Sequence, residues 1–124
     1  MTLALEMVTF DCADPQRLAE FWSAALGTKV DGDYGDFVIL ARPSERSPAL
    51  GFQRVPEPKP GKNRMHVDLN SSDRVAEVAR LVELGATVQY DRLGTVPGID
   101  WSTLADPEGN EFCVSQHSGS AEVG

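Results

Sequence analysis

Met7-Val8-Thr9-Phe10-Asp11-Cys12-Ala13-Asp14 and His66-Val67-Asp68-Leu69-Asn70-Ser71-Ser72-Asp73 are two extended segments of equal length that both end on an aspartate. Behind each comes a helical pattern, Arg17-Leu18-Ala19-Glu20-Phe21 in one half and Arg74-Val75-Ala76-Glu77-Val78 in the other, closing at Leu26-Gly27 and Leu84-Gly85. Such self-similarity is the mark of one supersecondary plan used twice. Asp14 followed by Pro15 supplies a cap and a first-turn proline, and Asp73 can cap the second helix. Gly27 and Gly85 sit where a terminating glycine is wanted. Leu18, Phe21, Trp22 and Ala25 recur at helical spacing, as do Val75, Val78, Ala79 and Val82, so each helix is expected to lay one apolar face on a sheet.

Three short strands are expected after each helix. They are 29–31, 36–41 and 50–55 in the first half, and 87–90, 101–105 and 111–115 in the second. The fold class is therefore α+β, with two tandem βαβββ modules, the first at about 3–56 and the second at about 63–117. The Pro56-Glu57-Pro58-Lys59-Pro60-Gly61 run joins neither sheet readily, since proline lacks the donor and has a fixed φ, so 56–62 reads as the linker. The tail at 118–124 reads as flexible.

A chain of 124 residues with 41% hydrophobic and 24% charged residues has the profile of one globular domain, large enough to fold without disulfides or a structural metal. Cys12 and Cys113 have neither zinc nor redox spacing and read as reduced thiols. No apolar run approaches a membrane span and the N-terminus lacks a signal-peptide pattern, so the expectation is a cytoplasmic protein with no membrane partner. Nineteen acidic against eleven basic residues leave a net charge of -8, which argues against nucleic acid as a partner. Lys59, Lys62 and Arg64 read as solvating the linker.

Strand alternation nominates the residues of a cleft. Val8 and Phe10 belong with the helix, leaving Met7, Thr9 and Asp11 on the opposite face. Val67 and Leu69 likewise leave His66, Asp68 and Asn70, and Phe112 and Val114 leave Glu111, Cys113 and Ser115. Polar groups concentrated on one face are costly unless water, a ligand or each other satisfies them, which favours a wet or ligand-filled cavity. His66 beside Asp68 is the candidate catalytic pair, a histidine whose proton an acid can tune; a satisfied structural pair is the alternative. Asp11 can equally serve a strand-end hydrogen bond. Trp22 belongs to the core, whereas Trp101 either packs or forms an aromatic wall for a flat ligand. The segments 42–48 and 93–100, with their prolines and glycines, are candidate cleft rims.

Phe10-Asp11-Cys12-Ala13-Asp14-Pro15 leading into Leu18-Ala19-Glu20-Phe21-Trp22, then Met65-His66-Val67-Asp68-Leu69, and finally Ala105-Asp106-Pro107-Glu108-Gly109-Asn110-Glu111-Phe112 give the chain a resemblance to a known superfamily. It resembles the glyoxalase, bleomycin-resistance and extradiol-dioxygenase proteins of the vicinal oxygen chelate superfamily, from Leu5 to about Gln116. The resemblance implies that the modules curl their sheets into an open U around a cleft, helices outside, with metal ligands on the first and last strands of each module. Carried over, those positions fall on Met7, near Gln53, on His66, and on Cys113 with Glu111 two residues earlier. A thioether suits a hard divalent cation poorly. The expectation is thus no bound cofactor, with a divalent metal, if present, held by His66, Gln53 and Glu111. His117 is expected beyond the last strand and out of reach.

The leading expectation is a glyoxalase-like small-molecule-binding protein, a homodimer, whose polar cleft lacks a complete family metal site. Its partner is a small organic molecule, held by Thr9, Asp11, Gln53, Trp101, Glu111 and Cys113 around His66 and Asp68. The alternative is a metal-dependent lyase, isomerase or dioxygenase, or a metal-free acid-base enzyme using His66 and Asp68. The residues leave open whether the protein is an enzyme at all.

Overall fold

The computed structural model describes residues 3–118; the expected tail beyond Ser118 lies outside them. The chain divides into two compact units, Met1–Pro60 and Gly61–Gly124. The first contains β1 (Met7–Cys12), α1 (Pro15–Leu26), β2 (Val30–Asp33), β3 (Phe37–Leu40) and β4 (Ala49–Arg54). The second contains β5 (Val67–Asn70), α2 (Arg74–Leu84), β6 (Thr87–Val96), β7 (Ile99–Ala105) and β8 (Glu111–His117). Both are βαβββ modules built on an open, mixed four-stranded sheet, in the orders β1-β4-β3-β2 and β5-β8-β7-β6. In each, the first strand runs parallel to the last, which is antiparallel to its other neighbour.

Both helices begin as the capping residues dictate. The Asp14 carboxylate accepts from Arg17 N, with Pro15 in the first turn, and the Asp73 carboxylate accepts from Ala76 N. Gly27 closes α1 by donating to Ser23 O.

Module one has a conventional core. Leu18, Phe21 and Trp22 of α1 and Phe52 of β4 are fully or almost fully buried. Phe10 lies 5.5 Å from Trp22 and 5.4 Å from Phe52, centroid to centroid, so the helix face of β1 is the expected one. Each such side chain contributes about 1.5–3 kcal/mol through burial.

Module two departs from the expected helix face. Val75 and Val82 are 66% and 43% exposed, Ala79 is exposed too, and the buried residue of α2 is Leu81. A polar anchor accompanies this turn of the helix. Arg74 donates to Ser102 Oγ (2.6 Å), which donates on to Asp91 Oδ1 (2.6 Å), and the Arg74 guanidinium lies 3.6 Å from the same carboxylate. Arg74 N also donates to Gln116 Oε1 at 2.9 Å. With Arg74 held over the sheet, the residues four and seven positions on, Val78 and Leu81, follow it inward, and Val75, Ala79 and Val82 turn out.

Two further segments differ from expectation. Residues 93–100 are not a rim loop. β6 runs on to Val96 and β7 starts at Ile99, with Val96 paired to Ile99. Gly98 makes the reversal with φ +82, and the irregular stretch around Gly94, φ +70, is secured by Gly94 N donating to Asp100 Oδ1. Nor does β8 stop at Ser115: it continues to His117, because β7 offers Asp100 and Ile99 as partners for Gln116 and His117. Ser118 N donates to Gly98 O, so that end of the strand is tied down. Residues 42–48 form a loop as expected. No helix among the described residues is long and apolar enough to cross a membrane.

Candidate functional site

β8 occupies an inner position of the second sheet, between β5 and β7. Its alternation buries Phe112 and Val114 on the side of α2, and turns Glu111, Cys113, Ser115 and His117 toward a cavity of about 470 Å³. β7 lends Ile99, Trp101 and Thr103 to the same wall, β6 lends Tyr90, and His66, Asp68 and Lys62 complete it. Five of the expected residues, His66, Asp68, Trp101, Glu111 and Cys113, thus line one cavity.

At its centre His66 Nδ1 lies 3.0 Å from Asp68 Oδ1 and 4.0 Å from Cys113 Sγ. The parallel pairing of β5 with β8 sets this up, because it puts Asp68 directly beside Cys113. The same register step pairs Cys113 with Thr103 of β7, and Thr103 Oγ1 lies 3.3 Å from the sulfur. Cys113 is 7% exposed. Burial pushes its thiol up from the ordinary range, and the Thr103 contact pulls partly the other way. A thiol so placed is protonated at neutral pH and a weak nucleophile. The imidazole and carboxylate are more open, with side chains 47% and 64% exposed.

Glu111 is engaged differently. Lys62, expected to solvate the linker, forms a close ion pair with it, and that hydrogen bond pushes the lysine pKa up. The Arg92 guanidinium stacks 4.3 Å from the Tyr90 ring centroid.

The remaining expected residues, Thr9, Asp11 and Gln53, belong to the first sheet, all three exposed, with Asp11 paired to Gln53 across β1 and β4. The register corrects the expected equivalence of Gln53 with Cys113. Thr9, the repeat counterpart of Asp68, pairs with Gly51, so Gly51 stands where Cys113 stands in module two and Gln53 matches Ser115. At Gly51 an added Cβ would lie 2.8 Å from Met7 Sδ and 3.1 Å from Phe37 Cζ, so these two side chains close over the glycine.

Sequence reasoning missed Lys62, Tyr90, Ile99, Thr103 and His117. Ile99 and Thr103 were within reach, since they flank Trp101 at the two-residue period, and His117 follows from one more step of the alternation through Glu111, Cys113 and Ser115. Lys62 carries no sequence signal, as only the fold brings it to Glu111.

A family model described as a glyoxalase-like domain matches residues 7–115. No curated protein matches the chain. Among solved structures it is similar to a glyoxalase-related enzyme from Fulvimarina pelagi, at 14% identity over 94% of this chain and 89% of that one, with a TM-score of 0.75. It is also similar to a glyoxalase/bleomycin resistance protein/dioxygenase family enzyme from Burkholderia phytofirmans PsJN, at 18% identity over 93% and 99%, TM-score 0.74. A glyoxalase family protein from Bacillus cereus resembles it at 13% identity over 96% and 97%, TM-score 0.74. At these identities the likeness is one of fold.

Proposed function

The chain belongs to the glyoxalase-like domain family of the vicinal oxygen chelate superfamily, and from that premise we propose that it binds a small organic molecule in the cavity of its second module. The observation that carries this reading is the make-up of that cavity. Its volume of about 470 Å³ lies in the range of small-molecule sites, roughly 300–1,000 Å³, and it sets Trp101 and Tyr90 against the hydrogen-bonding groups of His66, Asp68, Thr103 and Ser115. A ligand with a flat apolar body and one or two polar substituents matches that division. The protein is proposed to act in the cytoplasm as a homodimer, with no nucleic-acid or membrane partner.

The superfamily's divalent cation does not fit the positions that would hold it here. The Met7 thioether is packed over Gly51, Gln53 is out of register with Cys113, and Glu111 is held by Lys62. No step is derived through that ion. A second reading, metal-free acid-base catalysis, is favoured by the 3.0 Å contact between His66 Nδ1 and Asp68 Oδ1, since a carboxylate at one ring nitrogen sets the tautomer that makes the other a base.

A thermal-shift screen of small organic compounds tests the binding reading. A compound present at 100 times its Kd stabilises the protein by about 2.7 kcal/mol. That gain is expected to fall away in Trp101→Ala. A compound that stabilises the wild type and Trp101→Ala equally would place the site elsewhere, and a compound consumed by the wild type but not by His66→Ala would favour the acid-base enzyme.

A further inference from the structure

Both acidic side chains on the cavity wall of module two are already engaged, Asp68 by His66 at 3.0 Å and Glu111 by Lys62, whereas one cation beside that cavity has no acid of its own. Arg92 stands opposite Trp101 in the antiparallel pairing of β6 with β7, as Tyr90 stands opposite Thr103. Residues directly opposite share a face of the sheet, so Arg92 lies on the cavity side, next to the two aromatic side chains of its wall. Its guanidinium carbon is 4.3 Å from the Tyr90 ring centroid. Among the described residues it meets no carboxylate, while Arg54, Arg74 and Arg80 each do. We propose that Arg92 determines the specificity of this cavity and that the ligand is a planar aromatic acid, its ring on Trp101 and its carboxylate in the Arg92 fork. This deepens the small-molecule reading above and rests on it.

A register slip in β6 puts the group there. Val88 pairs with Leu104, which is fully buried on the α2 side together with Phe112, and plain alternation would send Tyr90 and Arg92 after it. The ladder shifts between Val88 and Tyr90, so Tyr90 meets Thr103 and Arg92 meets Trp101 instead, both on the cavity side. Re-aiming a side chain is what an extra residue in a strand does. Guanidinium is planar, stays charged at every physiological pH and carries five donors with no acceptor, which matches the two oxygens of a carboxylate. The Tyr90 face attracts that charge without pairing the N–H donors, and it limits the freedom still to be lost on binding. An amine-bearing ligand meets the opposite situation: it must displace His66 from Asp68 or Lys62 from Glu111, and it faces Arg92 as a like charge. The net charge of -8 opposes any anion at long range, yet beyond about 8 Å such charges are largely screened at physiological ionic strength, and contact with Arg92 is shorter.

The test uses three probes of one shape, 1-naphthoate, 1-naphthamide and 1-naphthylmethylamine, titrated into the full chain and followed by NMR at the Trp101 indole N–H. The wild type is expected to bind naphthoate about tenfold more tightly than the amide, the low end for a hydrogen bond to a charged group because the site is open. Arg92→Gln is expected to abolish that preference and Arg92→Lys, which keeps the charge without the fork, to retain only part of it. Arg64→Gln, removing the same charge elsewhere in module two, is expected to keep it in full. Amide or amine binding as tightly as naphthoate overturns the acid assignment and leaves the cavity reading standing. So does a preference that survives in Arg92→Gln, or an equal loss for acid and amide in that variant, which would mean that Arg92 only holds the Tyr90 ring. No shift of the Trp101 resonance with any probe overturns both the acid assignment and the aromatic wall on which the cavity reading depends.

Discussion

Where Met7, Thr9 and Gly51 stand on the first sheet, His66, Asp68 and Cys113 stand on the second. The two sheets have the same strand order and the same parallel pairing of first and last strands, so the contrast comes from side chains on a common frame. In module one the glycine leaves room that Met7 and Phe37 fill, and the helix packs a dense aromatic core behind it. In module two His66, Asp68 and Cys113 line a cavity, and the helix behind carries the Arg74, Ser102 and Asp91 network with Val75 and Val82 left outside. One copy of the repeat closes the open face of its sheet by packing, and the other lines that face with polar groups around a cavity.

The largest effect expected to sharpen this contrast lies in the helices. Trp22→Ala, at a fully buried position of α1, is expected to cost about 3–5 kcal/mol by urea denaturation, whereas Val75→Ala on the exposed side of α2 should change stability by no more than about 0.5 kcal/mol. A cost for Val75→Ala approaching that of Trp22→Ala would mean α2 buries its valine face after all. Next comes Arg74→Met, which strips the anchor from Ser102 and Asp91 and is expected to cost about 1–3 kcal/mol in the same assay. An unchanged midpoint would show that the network follows the helix rather than orienting it.

On the open faces, Gly51→Ala is expected to cost about 1 kcal/mol, at the low end for an overpacked site because the flexible Met7 thioether can give way. Combining it with Met7→Ala should recover part of that loss, and a purely additive double mutant would break the claim that these residues share one space.

The smallest effects are in pH. Asp33, in module one, is held below the usual carboxylate range by the Gly35 N–H and then by Gln16, so its contribution is present above its unfolded value of 3.8 and is lost as pH falls through the lower folded value. Lys62, in module two, is raised by its hydrogen bond to Glu111, so its contribution is present below the unfolded 10.5 and is lost as pH rises through the higher folded value. Both groups are exposed and both effects are small. NMR titration should therefore find the 33–35 turn loosening only in acid and the Lys62–Glu111 contact only in strong alkali, with neither moving near neutral pH.

How much could be read in advance follows from the range of the forces involved. The caps at Asp14 and Asp73, the closing glycines and the repeat itself rest on interactions within a few residues, and the helices start where those signals put them. Alternation along β1, β5 and β8 likewise assigned the faces of Phe10, Asp68 and Cys113, because the two-residue period is a property of the strand. The valine stripe of α2 misled for the opposite reason: which face a helix buries depends on partners elsewhere in the chain, and Arg74, seven residues from Leu81, finds its own on β6 and β7. Residues 93–100 were composed like a loop, yet partners on the neighbouring strands were enough to extend both β6 and β7 through the glycines.

The sequence by itself determined the βαβββ repeat and the ends of its helices, and it put His66 and Asp68 two residues apart, on one face. Only the tertiary structure decided which side chains join them. Cys113 comes to Asp68 through a parallel pairing that spans the whole second module, Thr103 through the adjoining antiparallel one, and Lys62 meets Glu111 from 49 residues away along the chain. Pairings so distant along the chain are selected by the burial of the entire sheet, and no local run of residues encodes them.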